Sequence, residues 1–329
     1  MDFSLIVPSY NEEGGIRAFY DAATSCLDKA GLEYELIFVD DGSADATLEK
    51  LHELAAQHES DLAKDPAAHA GSIEVISFSR NFGKESAMLA GLNKATGNYV
   101  GFIDADLQQL PETALEMYTI LQEHPEFDCV AAVQKKRKEG AVLKFFKEGF
   151  YRVFNTISET EIPPDASDFR VFSAQVANAL RGMPEYFRFS KGLFSWVGFR
   201  TYTIEYEPEE RFAGETNWSF KKLMNYALGG IFSFSRWPLK LTLYLGLITS
   251  AGAVIYLFIV LFEALAYGID VPGYPTLACL ILLFNGILML VLGIMGEYLG
   301  RIYVESKNRP LYITREEFSS TSSSAPERK

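Results

Sequence analysis

Asp104 and Asp106 stand two residues apart, directly after the apolar run Tyr99–Ile103. If the chain stays extended, such a pair aims both carboxylates to one side. Two carboxylates placed this way suit a hard divalent cation, Mg2+ or Mn2+, which binds through one or two carboxylates plus substrate phosphates. A cation held there would act as a Lewis acid on a leaving diphosphate. Gln108 continues the alternation, within reach of the phosphates or an acceptor. A second acidic motif, Asp40-Asp41-Gly42-Ser43, closes the apolar run Tyr34–Val39. One of its carboxylates could accept hydrogen bonds from a base edge or a ribose. Taken singly, each motif also reads as a solvated turn, and Ser43 as a helix cap.

Apolar runs and helical stretches alternate around these motifs. Runs occur at Phe3–Pro8, Tyr34–Val39, Ile73–Phe78, Tyr99–Ile103 and Phe127–Val133. Helical spacing fills Glu13–Ala30 (followed by Gly31), Asp45–Gln57, Lys84–Ala95 and Pro111–Glu123, and His58–Ser72 reads as a loop. This order predicts an α/β fold with a mostly parallel, doubly wound sheet. Ligands of such sheets collect at the carboxyl ends of the strands. Pro8-Ser9-Tyr10-Asn11-Glu12, Asp40-Asp41 and Asp104-Ala105-Asp106 all fall at such ends. Three polar clusters on one edge favour a site over three unrelated turns.

The formal net charge of −13 argues against nucleic acid as a partner, because a basic face supplies that affinity. Cys26, Cys129 and Cys279 are far apart and form no metal or disulfide pattern, which fits a reducing compartment. The opening MDFSLIVPSYNEE has neither the basic start nor the apolar core of a signal peptide.

Two stretches, Leu241–Phe262 and Thr276–Gly296, carry no charge, and a membrane span needs about 20 apolar residues. Lys221, Lys222, Arg236 and Lys240 precede the first; Arg301, Lys307, Arg309 and Arg315 follow the second; the connector Glu263–Pro275 has no Lys or Arg. The positive-inside bias puts both ends in the cytoplasm, with Trp237 and Tyr298 as interfacial aromatics. Lys135–Arg152 interleaves bases with Phe145, Phe146, Phe150 and Tyr151, a surface suited to an anionic leaflet or to a solvated helix face. Trp218–Trp237 forms a second basic-aromatic stretch leading into the first span. Ser319–Lys329 is a polar tail.

The segments IVPSYNEE (Ile6–Glu13), FVDDGSADAT (Phe38–Thr47), RNFGKESAMLAGLNKATGNYVGFIDADLQ (Arg80–Gln108) and SDFRVFS (Ser167–Ser173) resemble the family 2 glycosyltransferases of GT-A fold. FRFSKGLFSWVGF (Phe187–Phe199), RFAGETNWSFKKL (Arg211–Leu223) and the two C-terminal spans resemble the polyprenyl-phosphate branch, which includes dolichol-phosphate mannosyltransferases and bactoprenol-phosphate glucosyltransferases. The resemblance implies that Pro8, Tyr10, Glu12 and Asp40, with Asp41 in second rank, line the nucleotide pocket. It implies that Asp104 and Asp106 hold the metal and diphosphate, with Gln108 beside them. It brings Asp168 to the sugar or incoming phosphate, as a positioning group before a base, and Arg211 and Lys221 to phosphate oxygens. Asp168 also reads as an ion-pair partner of Arg170, and Arg170 as a binder of the acceptor phosphate.

The expected organisation is a nucleotide-sugar-binding core over 1–134, an acceptor side over 135–217 with an amphipathic helix near 141–158, a juxtamembrane helix over 218–238, two spans within 239–300 (241–262 and 276–299) and a cytoplasmic tail over 301–329. The expected reaction is inverting transfer of a sugar, glucose first, from UDP-glucose to a polyprenyl phosphate such as undecaprenyl phosphate. Mannose, galactose or N-acetylglucosamine transfer to the same lipid class, a processive polysaccharide synthase and a non-catalytic scaffold are the alternatives. A synthase would want more than two spans, and no QxxRW motif precedes Trp237. A multi-pass protein of the plasma (inner) membrane is expected if the source is bacterial, and homo-oligomerisation is open.

Overall fold

The computed structural model describes residues 1–64, 71–135, 156, 167–209, 235, 237–267 and 273–320. Arg211, Lys221, the basic-aromatic stretch beyond Lys135 and most of Trp218–Trp237 lie outside the described residues.

The first elements are β1 (Phe3–Ser9), α1 (Ile16–Ala30), β2 (Tyr34–Asp40), α2 (Thr47–Lys64), β3 (Gly71–Phe78), α3 (Lys84–Lys94), β4 (Tyr99–Phe102) and α4 (Pro111–Glu123). They are followed by β5 (Cys129–Gln134), β6 (Arg170–Ser173), α5 (Ala174–Arg181), α6 (Ser190–Trp196) and β7 (Thr201–Tyr206). Two long helices, α7 (Trp237–Tyr267) and α8 (Tyr274–Ser306), and a last strand β8 (Thr314–Ser319) complete the chain.

The strands form one eight-stranded sheet in the order β7-β5-β6-β4-β1-β2-β3-β8. β1 pairs in parallel with β2 and β4, β2 with β3, and β5 with β7; β6 and β8 run antiparallel to their neighbours. The mostly parallel α/β sheet expected from the alternating pattern is therefore present. Residue 134 falls inside this sheet, since β5 before it pairs with β6 and β7 after it.

Both faces of the sheet are covered. Side chains alternate across a strand, so Leu5 and Val7 join one buried cluster with Phe19 and Leu27 of α1, while Ile6 joins another with Met88 and Leu92 of α3. Burial on both faces is why the strands read as continuous apolar runs. α1 stops where Gly31 takes φ 68°, a left-handed cap that costs glycine little. α4 starts on Pro111, whose missing N–H has no helical partner to lose.

α2 runs past Gln57 to Lys64, through the stretch expected as a loop. His58 explains the difference. Its ring is buried, with Nδ1 2.9 Å from the Tyr20 hydroxyl and Nε2 3.0 Å from the Gly71 carbonyl. Those partners lie outside the helix, and periodicity carries no trace of them.

α7 and α8 contain the two expected apolar stretches and are long and apolar enough to cross a membrane. Their faces expose large apolar side chains, such as Leu265 at 80% and Phe262 at 68%, as no soluble surface would favour. At the base of the pair, the Tyr298 hydroxyl donates to the Ser235 carbonyl at 2.8 Å. The last turns of α8 dock on the sheet domain: Arg301 lies 4.6 Å from the Phe187 ring centre, and Glu305 accepts the Tyr186 N–H at 3.2 Å. Much of the expected tail is then structured, because β8 pairs with β3 and closes the edge of the sheet.

Candidate active site

The strand register brings the acidic motifs to one edge. Asp40 pairs with Ser9 at the ends of β2 and β1, and Phe102 pairs with Ile6 at the end of β4. β6 is antiparallel and starts at Arg170 beside Phe102, so Asp168, two residues earlier, also arrives at this edge.

The loops of β1 and β2 are knitted together. The Asn11 N–H donates to Ser43 Oγ and the Ala44 N–H to Asn11 Oδ1, each at 2.9 Å. Ser43 thus ties two loops and does not cap α2. Asp40 is buried and accepts Ser43 N–H at 3.1 Å and the Ser77 hydroxyl at 2.8 Å. Asp41 is buried and clamps the chain ahead of α3, accepting the N–H groups of Phe82 at 2.6 Å and Gly83 at 2.9 Å. Burial raises the Asp41 carboxyl above its ordinary range, against the pull of those two N–H donors. Pro8 lines the pocket at the edge, Tyr10 is exposed beside it, and Glu12 is fixed by its N–H to Thr47 Oγ1 at 2.8 Å.

The Asp104-Ala105-Asp106 motif departs from the expected extended geometry. β4 ends at Phe102, and Asp104 to Gln109 form a turn in which Leu107 takes φ 58°. The alternation that would have carried Asp106 and Gln108 onto the face of Asp104 ends with the strand. Asp106 Oδ1 accepts the Gln108 N–H at 3.1 Å and shapes the turn. Gln109, which the spacing passed over, is buried and pairs with Asp104: its Oε1 accepts the Asp104 N–H at 3.0 Å and its Nε2 donates to Asp104 Oδ2 at 3.4 Å.

Asp168 meets Lys84. The Lys84 ammonium lies 2.5 Å from Asp104 Oδ1 and 3.8 Å from Asp168 Oδ2. Burial acts to lower this ammonium, and Asp104 and Asp168 outweigh it, so the net direction is upward. Asp168 Oδ1 is buried and finds no hydrogen-bond partner among the described residues. Arg170 is not its partner. Arg170 is buried, donates from Nε to the Ser167 carbonyl at 2.9 Å and lies 4.6 Å from the Phe194 ring centre. Next to Lys84, Glu85 accepts the Ser190 N–H at 3.0 Å as well as its hydroxyl. Burial, and then Asp168, push the Glu85 carboxyl upward.

These groups suit a hard divalent cation. Among the described residues no three His, Cys, Asp or Glu side chains gather into a closed cage. A cation here would rest on one or two carboxylates and complete its shell with phosphate and water, as magnesium commonly does. Asp104 Oδ1 already has a cationic partner, the Lys84 ammonium, which a divalent cation at this oxygen would have to displace.

Residues 4–180, from β1 to α5, match the family described as Glycosyl transferase family 2. The chain is a family 2 glycosyl transferase. Relatives extend the likeness through α7 and α8. An uncharacterized glycosyltransferase of Synechocystis sp. is 40% identical over 95% of this chain and 94% of its own. The prophage bactoprenol glucosyl transferase homolog of Escherichia coli is 39% identical over 96% of this chain and 99% of its own. The bactoprenol glucosyl transferase of Shigella phage SfV is 38% identical over 96% and 99%.

The sheet of this family 2 glycosyl transferase is thus the GT-A sheet that its motifs resemble. Lys84 and Gln109 are the residues that sequence reasoning missed at the edge. Lys84 stood inside the quoted segment Arg80–Gln108, read only as a helix start; its position beside Asp104 was the available signal once that helix was taken to begin at the strand edge.

Proposed function

We propose that this glycosyltransferase moves glucose from UDP-glucose to a polyprenyl phosphate, with inversion, at the cytoplasmic face of a membrane. The observation that carries the proposal is the end-to-end likeness to bactoprenol glucosyl transferases, which includes the apolar helices and so the whole layout of a lipid-handling enzyme. The topology supports it. β7 precedes the helix pair and β8 follows it in one sheet, so both ends of the pair belong to one folded domain and the pair crosses a bilayer an even number of times. The bases flanking the pair favour the cytoplasm for that domain.

In this reading the nucleotide lies across the ends of β1 and β2, over Pro8, Tyr10, Glu12 and Asp40, with Asp41 fixing the neighbouring loop. Asp104, with Asp106 from the following turn, would hold Mg2+ or Mn2+, which when bound would supply Lewis-acid stabilisation of the departing diphosphate. A phosphate oxygen of the lipid attacks the anomeric carbon from the face opposite the diphosphate. The carbon–oxygen bond to the diphosphate breaks, and its electron pair leaves with UDP. The attacking oxygen belongs to a phosphate monoester already anionic near neutral pH, so no strong base is required. Asp168 positions the reacting groups. Arg211 and Lys221 remain assigned to phosphate oxygens by resemblance, and Gln108 to the neighbourhood of the diphosphate.

The test is a panel of nucleotide sugars, UDP-glucose, GDP-mannose, UDP-galactose and UDP-N-acetylglucosamine, each incubated with undecaprenyl phosphate and magnesium. A chloroform-soluble monosaccharide product from UDP-glucose is expected. Product from another donor alone, or a polymer in place of a single sugar, contradicts the proposal.

A further inference from the structure

We infer that Lys84 is a positioning residue that serves as the site's built-in counter-cation: it holds Asp104 and Asp168 together and competes with the incoming divalent cation for Asp104. This rests on the metal role proposed for Asp104. Three observations carry it. One ammonium bridges two carboxylates from distant parts of the chain, at 2.5 Å from Asp104 and 3.8 Å from Asp168. The backbone around Lys84 is fastened on both sides, by Asp41 on the N–H groups of Phe82 and Gly83 and by Glu85 on Ser190. Any change of partner must therefore come from the flexible four-carbon stem of Lys84. Finally, among the described residues the buried Asp168 Oδ1 lacks a hydrogen-bond partner, and Lys84, facing Oδ2, is the cation paired with this carboxylate.

The consequence is an exchange. A divalent cation arriving at Asp104 repels the ammonium, which leaves Asp104 and stays with Asp168. Until a diphosphate adds negative charge, two cations share too few anions, and the divalent cation binds weakly. Cation and nucleotide each strengthen the binding of the other, as linkage requires. No bond is made or broken in this exchange.

The test uses the full-length protein in detergent, with Mn2+ binding read by electron paramagnetic resonance, first without nucleotide and then with UDP. Without nucleotide, Lys84→Met and Lys84→Gln are expected to bind Mn2+ about tenfold more tightly than the wild type, and the charge-keeping Lys84→Arg within about twofold of it. The tightening that UDP brings should shrink in the two neutral variants. Circular dichroism checks that each variant folds, and Lys84→Gln stands in if Lys84→Met does not. Unchanged or weaker Mn2+ binding in a folded neutral variant overturns the inference and leaves the metal site standing. Absence of Mn2+ binding to the wild type, with and without UDP, overturns both.

Discussion

The N–H of Ile73 donates to the hydroxyl of Ser320 at 2.9 Å, a buried bond between residues 247 positions apart. In return the Ser320 N–H donates to the Ile73 carbonyl at 2.9 Å. This pair fastens the chain that emerges from α8 onto β3, and with it the two long helices onto the catalytic sheet. β8 also covers an edge that would otherwise offer unpaired N–H and carbonyl groups to other chains.

Phe318 of β8 stacks on His52 with ring centres 3.9 Å apart and packs against the core cluster. Phe318→Ala should cost roughly 2 kcal/mol, less than a fully buried phenylalanine because Phe318 is only partly buried. Thermal unfolding in detergent measures it, and truncation after Ile313 should lower the midpoint further and promote aggregation. An unchanged midpoint in both would mean that β8 is a passive appendage.

Asp104→Asn and Asp106→Ala should each lower turnover by about a hundredfold or more, the scale of losing a major electrostatic stabiliser of the departing charge. The readout is lipid-linked sugar per minute at saturating nucleotide sugar. Formation at the wild-type rate in both variants would remove the metal from these residues.

Gly42 takes φ +65°, and a Cβ there would sit 2.4 Å from the carbonyl carbon of Arg80. Gly31 has a similar φ of +68° with nothing within 4 Å of the same position. Gly31→Ala should therefore cost about 1 kcal/mol, the left-handed backbone penalty alone. Gly42→Ala should cost more and raise the KM for the nucleotide sugar, because it wedges apart the two loops that Asp41 clamps. Equal losses in the two variants would show that the Arg80 backbone yields freely.

Glu85 gives a pH dependence with a definite sign. Burial raises its carboxyl above the ordinary 4.5, so the native state favours the protonated form. The stability it contributes is full below that ordinary value and is lost as pH rises through the raised one. Glu85→Gln has no such ionisation. The melting temperature of the variant minus that of the wild type should thus climb with pH across this window. A flat or falling difference would contradict the assignment.

Local pattern determined much of this protein. Apolar runs of strand length, Gly31 and Pro111 at helix ends and acidic residues after β2 and β4 placed a mostly parallel sheet with a site at its carboxyl edge. The two uncharged stretches placed the long helices. Those features are written in residues that lie within a turn or two of one another, so the sequence alone displays them. Tertiary structure decided what depends on separation. Asp168 pairs with Lys84 and not Arg170, because the antiparallel entry of β6 brings it across the edge to the start of α3. Gln109 binds Asp104, which the two-residue spacing did not foretell, because the chain turns after Phe102. α2 runs on to enclose His58, and β8 returns to β3, because their partners lie on other elements. Periodicity records which face of an element is apolar; it does not record which distant group will meet that face, and a charge finds its partner only once the sheet has brought the two together.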